Sequence, residues 1–401
     1  MRIAFFTDSY LPIRDGVSSV VSGLAHALGR QGHEVRIYTP RPYGSAVPET
    51  IVEDGVPVVR SRSVPVPYYP GYRFSIFPFV QVERSGVAEW ADVIHLHTPG
   101  MMGAVAFLSG RGHRKPIVGT FHTNIWASRE SFPGGPLIDL FYRVTWWWTR
   151  GLYWRLDRTT VPTATARDEL VRASKKPYAR PIEVIPNGIE LEHFHPGANR
   201  PDWRERCGLS AAPLVTYLGR LTADKGALRF LDAVEELVRT RDLAVAIAGS
   251  GPAEPEVVAR LKSNPALARC ARYLGSVAEE EKAALLAQSD VFVLPSVSDT
   301  SSIAVLEAMA CGTPVVVSDV GGVSDLVADG VTGRLAHLAE PGALSTTIDE
   351  MLSDSAGLER MGRAAAEYVV RSASIDSTAR RFIALYASLL NSGPVRAARV
   401  A

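Results

Sequence analysis

The feature that most constrains the fold is a strand–loop–helix alternation that starts at the first residues. Ile3–Thr7 is a short apolar run that ends before Asp8, and apolar spacing predicts a helix over Val17–Gly29 before a second strand at Glu34–Thr39. Short, fully apolar strands that alternate with helices predict a parallel sheet covered on both faces. Further strands of this first series are expected at Val93–Leu96, Ile117–Thr120 and Thr159–Pro162.

The alternation breaks after Glu183 and then starts again. Pro186-Asn187-Gly188 is a turn signal, and Pro196-Gly197 opens a polar stretch. The second series has strands expected at Leu214–Leu218, Ala244–Ala248, Ala271–Leu274, Val291–Leu294 and Pro314–Ser318, and helices expected at Leu228–Arg239 and Pro255–Leu267. A chain of 401 residues is too long for one ordinary core. We therefore predict an α/β fold of two Rossmann-like domains facing across a cleft, over residues 1–190 and 191–374. A last helix, within residues 375–401, is expected to pack back on the first domain.

Composition excludes several classes of protein. The 43 basic and 42 acidic side chains leave a net charge of +1, so nothing indicates a nucleic-acid partner. Three sparse cysteines, Cys207, Cys270 and Cys311, have no zinc spacing and fit buried thiols in a reducing cytosol. No apolar run approaches the roughly 20 residues of a spanning helix. We expect a cytoplasmic protein whose membrane contact, if any, is peripheral and at the inner face of the plasma membrane.

The strongest local signal runs from Pro295 to Pro314. Asp299 follows a strand and precedes a helix expected to begin near Thr300, at the edge where α/β folds bind ligands. Unpaired first-turn amides there favour a diphosphate; they belong to Ser301, Ser302 and Ile303. Glu307, two turns further on, could accept hydrogen bonds from the hydroxyls of a ribose or a sugar. The alternatives are a plain N-cap for Asp299 and a solvated helix face for Glu307.

A second block delivers two cations to a strand end. Arg220 and Lys225 follow the strand expected at Leu214–Leu218, and Gly226 comes next. A guanidinium and an ammonium on a loop without bulk suit a pyrophosphate leaving group. The alternative is a pair of surface cations with partners such as Asp224.

Histidines end two strands of the first series. His122 follows Ile117–Thr120, where its ring could bond a sugar hydroxyl. His95 and His97 alternate on one side of a strand. We favour structural histidines there over metal ligands, because no third ligand stands at a recognisable spacing.

These motifs, in this order, resemble the retaining glycosyltransferases of family four, which have the GT-B fold. Asp299 to Glu307 resembles the family's E-x7-E block, with Asp in place of the first Glu and Ser302 in place of a Gly. Arg220 to Gly226 is similar to its GR…KG block. The chain also resembles diacylglycerol glucosyltransferases and GDP-mannose-dependent alpha-mannosyltransferases of this family.

The resemblance implies retaining transfer of a hexose from a UDP- or GDP-sugar to a hydroxyl of a lipid or a small molecule, with no metal or other cofactor. Glycine loops at Gly16 and Gly249 and the backbone at Val277 would meet the donor. Donor contacts are expected from Gly16, Arg220, Lys225, Gly249, Val277, Asp299, Ser301, Ser302, Ile303 and Glu307. Catalytic roles are expected for His122, Arg220, Lys225 and Asp299.

The segment 141–158 carries four tryptophans and four arginines. Two interpretations fit it: an interfacial helix on anionic lipid, and a helix with tryptophans in the core of the first domain, which the resemblance implies binds the acceptor. Gly151 is expected to interrupt the helix. Other functions stay open as well. They are transfer to a soluble polyol or natural-product intermediate, another enzyme with paired Rossmann domains, and a non-catalytic nucleotide-sugar-binding protein.

Overall fold

The structure, a computed structural model, describes residues 1–13, 15–42, 50–65, 73–122, 135–174, 177–178 and 180–392. It contains two compact units. Among the described residues, one unit comprises residues 1–122, 135–188 and 375–392, and the other comprises residues 189–374. The first unit thus ends two residues before 190, and the last helix belongs to it.

The first unit is built on an eight-stranded sheet in the order β10-β9-β8-β7-β1-β2-β4-β3, in which only β3 runs antiparallel to its neighbour. The strands β5 and β6 form a separate two-stranded antiparallel sheet. The strands are β1 (Arg2–Phe6), β2 (Glu34–Pro40), β3 (Thr50–Glu53), β4 (Val56–Ser61), β5 (Ser63–Pro65), β6 (Arg73–Ser75), β7 (Val93–Leu96), β8 (Ile117–Thr120), β9 (Arg158–Val161) and β10 (Ile182–Val184).

Helices cover both faces of this sheet. They are α1 (Gly16–Arg30), α2 (Pro78–Arg84), α3 (Val87–Trp90), α4 (Met101–Gly112), α5 (Pro136–Trp154), α6 (Ala164–Ala173) and α15 (Ile375–Asn391). Alternate residues of β1 enter two different cores, as the twofold period of a strand requires. Ile3 and Phe5 pack in the cluster that includes α1 and α15, whereas Ala4 and Phe6 pack in the cluster that includes α4, α5 and α6.

The second unit has six parallel strands in the order β13-β12-β11-β14-β15-β16 around one core. The strands are β11 (Leu214–Leu218), β12 (Ala244–Ala248), β13 (Ala271–Gly275), β14 (Val291–Leu294), β15 (Val315–Ser318) and β16 (Gly333–Ala336). The helices are α7 (Trp203–Arg206), α8 (Ala227–Leu237), α9 (Glu254–Ser263), α10 (Pro265–Cys270), α11 (Glu279–Ala287), α12 (Ile303–Ala310), α13 (Ala343–Ser353) and α14 (Ser355–Tyr368). Short 3-10 turns lie at Pro196–Ala198, Ala223–Lys225 and Gly321–Leu326, with a π-helical turn at Val369–Ala373.

Two predicted helices differ from those observed. The helix expected over Pro255–Leu267 is split at Asn264, whose side chain accepts from the amide of Ala266 at 3.0 Å while Pro265 starts α10. Pro265 cannot donate a helical hydrogen bond, so the break falls there. Gly151, by contrast, does not interrupt its helix, since α5 continues to Trp154.

Each sheet contains a point between two parallel strands at which the strand order reverses, the position where α/β folds bind ligands. The reversal lies between β1 and β7 in the first sheet and between β11 and β14 in the second. Loops at the carboxyl ends of such neighbouring strands diverge and leave a crevice. The predicted site residues of the second unit follow β11, β12, β13 and β14.

Candidate functional site

An ion pair joins the two loops at the reversal point of the second sheet. The Lys225 Nζ, in the loop after β11, lies 2.6 Å from the Asp299 Oδ2, in the loop after β14. Their side chains are 17% and 8% exposed. The structure therefore brings together two of the predicted site residues in a largely desolvated contact.

Backbone contacts hold these two loops together. Gly226 has a φ of +73°, and a Cβ at that position would overlap the carbonyl oxygen of Pro295. The amide of Val297 donates to the carbonyl of Asp224 at 2.8 Å. Because only a glycine combines a positive φ with so close an approach, Gly226 allows Lys225 to reach Asp299.

Asp299 is also held from its other side. Its carbonyl accepts from the amide of Gly322 at 2.6 Å, and a Cβ on Gly321, whose φ is +68°, would meet the same oxygen. This glycine pair was not predicted from the sequence. Two adjacent glycines shortly after β15, which ends at Ser318, were the available signal for a close loop contact.

Arg220 lies at the exposed rim of the same edge. Its guanidinium is 52% exposed and 3.6 Å from the carboxylate of Asp224, the partner that the surface-cation alternative named. Its carbonyl accepts from the hydroxyl of Tyr217 at 2.9 Å. The Asp224 side chain is 12% exposed, so the guanidinium is the half of this ion pair that faces solvent and is accessible to an anionic ligand.

Gly249 and Val277 follow the next two strands. Gly249 has a φ of +132°, and a Cβ there would overlap the carbonyl oxygen of Gly219. Its amide donates to the carbonyl of Gly275 at 2.8 Å, and Val277 packs partly buried against the core. Close backbone contacts thus hold together the loops that follow β11, β12 and β13.

The helix after Asp299 begins later than predicted. Ser302 is the N-cap of α12, and its Oγ accepts from the amide of Val305 at 3.4 Å, so the N-cap alternative for Asp299 is wrong. The first helical amides are those of Ile303 and Ala304, not those near Thr300. The buried Ser301 Oγ has no hydrogen-bond partner among the described residues. Donors collected at a helix N-terminus favour an anion.

Glu307 is buried, so the solvated-face alternative is wrong. Its Oε1 lies 2.6 Å from the Nζ of Lys282, on α11, and the Glu307 side chain is 5% exposed. Burial raises the pKa of the Glu307 carboxyl, and the Lys282 ammonium acts against that rise. No motif or spacing pointed to Lys282, because its contact with Glu307 joins two separate helices.

The predicted residues of the first unit lie at its own sheet edge. Gly16 is the first residue of α1, and Asp15 caps that helix by accepting from the amide of Ser18 at 2.8 Å. His122 follows β8, with its Nε2 3.1 Å from the Nδ1 of His97. Burial lowers the pKa of His122 to about 4.

His95 is fully engaged by neighbouring hydroxyls. Its Nδ1 lies 2.6 Å from the hydroxyl of Tyr386, and its Nε2 lies 2.7 Å from the Oγ1 of Thr120. Both ring nitrogens are therefore used, which supports the structural interpretation of this histidine. Over the described ranges, no group of three or more His, Cys, Asp and Glu side chains is placed to hold a metal ion.

Comparisons with known proteins agree with this architecture. The model described as Glycosyltransferase Family 4 matches residues 14–193, and the model described as Glycosyl transferases group 1 matches residues 212–354. A GDP-mannose-dependent alpha-mannosyltransferase of Mycolicibacterium smegmatis is 31% identical over 357 residues, which cover 87% of this chain and 89% of the relative. The chain belongs to glycosyltransferase family 4.

Two further proteins are similar to this glycosyltransferase over most of its length. The sulfoquinovosyl transferase of Arabidopsis thaliana is 28% identical over 91% of this chain and 69% of its own. The sucrose-phosphate synthase of Thermosynechococcus elongatus shares the fold, with a TM-score of 0.82 at 22% identity over 98% of this chain and 100% of its own. The predicted GT-B fold class is confirmed. The chain is an enzyme that transfers a glycosyl group from a nucleotide sugar to a hydroxyl acceptor.

Proposed function

We propose that this glycosyltransferase moves a hexose from a UDP- or GDP-sugar with retention of the anomeric configuration. The contact between Lys225 and Asp299 carries the proposal, because it sets a cation for the diphosphate beside a carboxylate for the sugar hydroxyls. Arg220 and the α12 amides add positive charge, and Glu307 holds the ribose. His122 is proposed as a further ligand of the donor sugar, with backbone at Gly16, Gly249 and Val277 completing the donor contacts.

In the proposed step, the acceptor hydroxyl attacks the anomeric carbon on the face from which the nucleotide departs. The bond from that carbon to the phosphate oxygen breaks, the bond to the acceptor oxygen forms, and the acceptor proton passes to a phosphate oxygen of the leaving diphosphate. Arg220 and Lys225 stabilise the negative charge that develops on the leaving group. We therefore propose that no bound metal is needed, and full activity in excess EDTA is expected.

The donor can be tested directly. A ligand that binds only the folded state raises the melting temperature, so a thermal-shift panel of UDP-, GDP- and ADP-sugars identifies the base and the sugar. GDP-mannose is the first choice, because the 31% identical relative is named for it. Product anomers analysed by NMR then test the stereochemistry: an inverted product would contradict the retaining mechanism.

For the acceptor, we propose a membrane lipid, reached through α5. An apolar stripe on this helix is exposed, with Trp147 at 67%; it consists of Leu140, Phe141, Val144, Trp147 and Trp148. Residues spaced in this way share one helix face, and Arg143 beside them is also exposed. Trp146 instead packs partly buried against the core, which is the position that the core alternative describes. An apolar face with a nearby cation suits an anionic lipid surface.

No helix within the described residues is long and apolar enough to cross a membrane. Pelleting with phosphatidylglycerol vesicles tests the surface contact. Trp147→Ser should reduce pelleting severalfold, whereas Val331→Ser, an exposed valine of the second unit, should not. Equal pelleting of both variants would contradict the membrane proposal and favour a small soluble acceptor such as a polyol.

A further inference from the structure

The ammonium of Lys282 is held between an acid and an aromatic ring. It lies 2.6 Å from the Glu307 Oε1 and 4.9 Å from the centroid of the Phe194 ring. The Lys282 side chain is 17% exposed, and Phe194 is buried. A carboxylate and the face of an aromatic ring both favour the charged ammonium, so its position is well defined.

Glu307 depends on this cation. The charged groups of the described chain that act on its carboxyl are Lys282 and Glu279, both on α11, and Glu279 opposes ionisation as burial does. At the end of α12 the thiol of Cys311 stays neutral, because burial raises its pKa to about 12. Lys282 is therefore the described side chain that offsets the burial of this carboxylate.

An ionised and fixed carboxylate is the strongest acceptor for both hydroxyls of a ribose. A protonated carboxyl carries a hydrogen on one oxygen and loses acceptor capacity. The hydrogen bond from the Lys282 ammonium to Oε1 restricts the rotation of the Glu307 carboxylate. The geometry thus couples a residue on α11 to a group proposed to bind the nucleotide.

We propose that Lys282 is a positioning residue, which holds the carboxylate of Glu307 in place for the ribose of the donor. The proposal rests on the proposed function, in which Glu307 contacts the ribose. It adds a residue that does not itself touch the donor. Its effect should depend on the ribose hydroxyls and on pH, which distinguishes it from a merely structural effect.

The test compares GDP with 2′-deoxy-GDP, and UDP with 2′-deoxy-UDP, by calorimetric titration. The wild type should bind the preferred ribonucleotide about tenfold more tightly than its deoxy form, as expected for one hydrogen bond to a charged group. In Lys282→Met this ratio should fall towards one, and Lys282→Arg should keep most of it. Lys262→Met, an exposed lysine on α9, is the matched control and should leave the ratio unchanged.

The pH profile is a second readout. Loss of the ammonium removes the influence that favours the charged form of Glu307, so its pKa should rise further in Lys282→Met. Ribonucleotide affinity should then fall at a higher pH than in the wild type as the solution is acidified. Affinity for the deoxy nucleotide should change less over the same range.

A double variant covers the case in which Lys282→Met folds poorly. Lys282→Met/Glu307→Gln contains no unpaired buried charge, and its discrimination should equal that of Glu307→Gln alone. Full discrimination with an unchanged pH profile in Lys282→Met would overturn the inference while leaving the proposed function intact. A wild type that bound none of the four nucleotides would instead contradict the proposed function, and this inference with it.

Discussion

The ammonium of Lys225 and the carboxylate of Asp299 form a 2.6 Å ion pair between residues 74 positions apart in the chain. The two side chains come from the loops that follow β11 and β14, the neighbouring strands at which the sheet order reverses. In the proposed mechanism one binds the diphosphate and the other binds the sugar. The pair therefore links the leaving group to the transferred group, and each side chain should affect the other's function.

Lys225→Ala should lower kcat about 10²- to 10³-fold, because a charged donor to the leaving group is lost. The buried carboxylate of Asp299 loses its partner, so the free energy of unfolding should fall by about 3 kcal/mol at most. Initial rates and chemical denaturation measure the two effects. Lys262→Ala is the control. Unchanged activity in Lys225→Ala would show that Lys225 has no role in the mechanism.

Asp299→Asn keeps the shape of the side chain but removes its charge, and it should cut transfer about 10²-fold. Asp299→Glu restores the residue usual in the family and lengthens the reach by one methylene. It should change the ratio of kcat/KM between two donor sugars by about tenfold if the shorter carboxylate sets donor choice. Identical donor ratios in the wild type and Asp299→Glu would show that this position does not set specificity.

Gly249→Ala tests the close backbone contact between the loops that follow β11 and β12. A Cβ there would overlap the carbonyl of Gly219, and the alanine would have to adopt a φ of +132°. Stability should therefore fall by about 1–3 kcal/mol, and the KM for the donor should rise. Gly29→Ala is the matched control on α1, where a Cβ meets nothing within 4 Å and a small gain in stability is expected. Melting temperatures of the two variants should therefore move in opposite directions.

The histidines of the first unit predict acid sensitivity. Burial lowers the pKa of His95, His97 and His122, the last to about 4, below the ordinary value of 6.5. Below pH 6.5 the unfolded chain binds protons that the folded chain does not, so stability is full above that pH and declines towards pH 4. Thermal unfolding at pH 7.5, 6.5, 5.5 and 4.5 measures this. His122→Gln should flatten the decline, and a melting temperature independent of pH would contradict the assignment.

Much of the fold follows from local pattern. The strands at Val93–Leu96 and Ile117–Thr120 have the predicted bounds, because parallel strands buried on both faces are continuous apolar runs. The strands β3 and β6 were not predicted. Both strands are short and have partly exposed side chains, so neither is the continuous apolar run that predicts a buried strand.

The candidate site was predictable to a lesser extent. Strand ends identified the loops of Arg220, Lys225 and Asp299, since parallel strands present their carboxyl ends at one edge. Spacing could not show that Lys225 contacts Asp299, because that contact depends on which strands are neighbours. The start of α12 at Ile303 was missed as well, since Ser302 competes with Asp299 as a cap.

The amino-acid sequence by itself determined that this chain has two α/β units of a family 4 glycosyltransferase, with a carboxylate at Asp299 and cations at Arg220 and Lys225. Periodicity and motif order can be recognised in the sequence without knowledge of the tertiary structure. Only the tertiary structure decided which charges meet: Lys225 with Asp299, and Lys282 with Glu307. Those contacts depend on strand order and on helix packing, which bring together residues far apart in the chain.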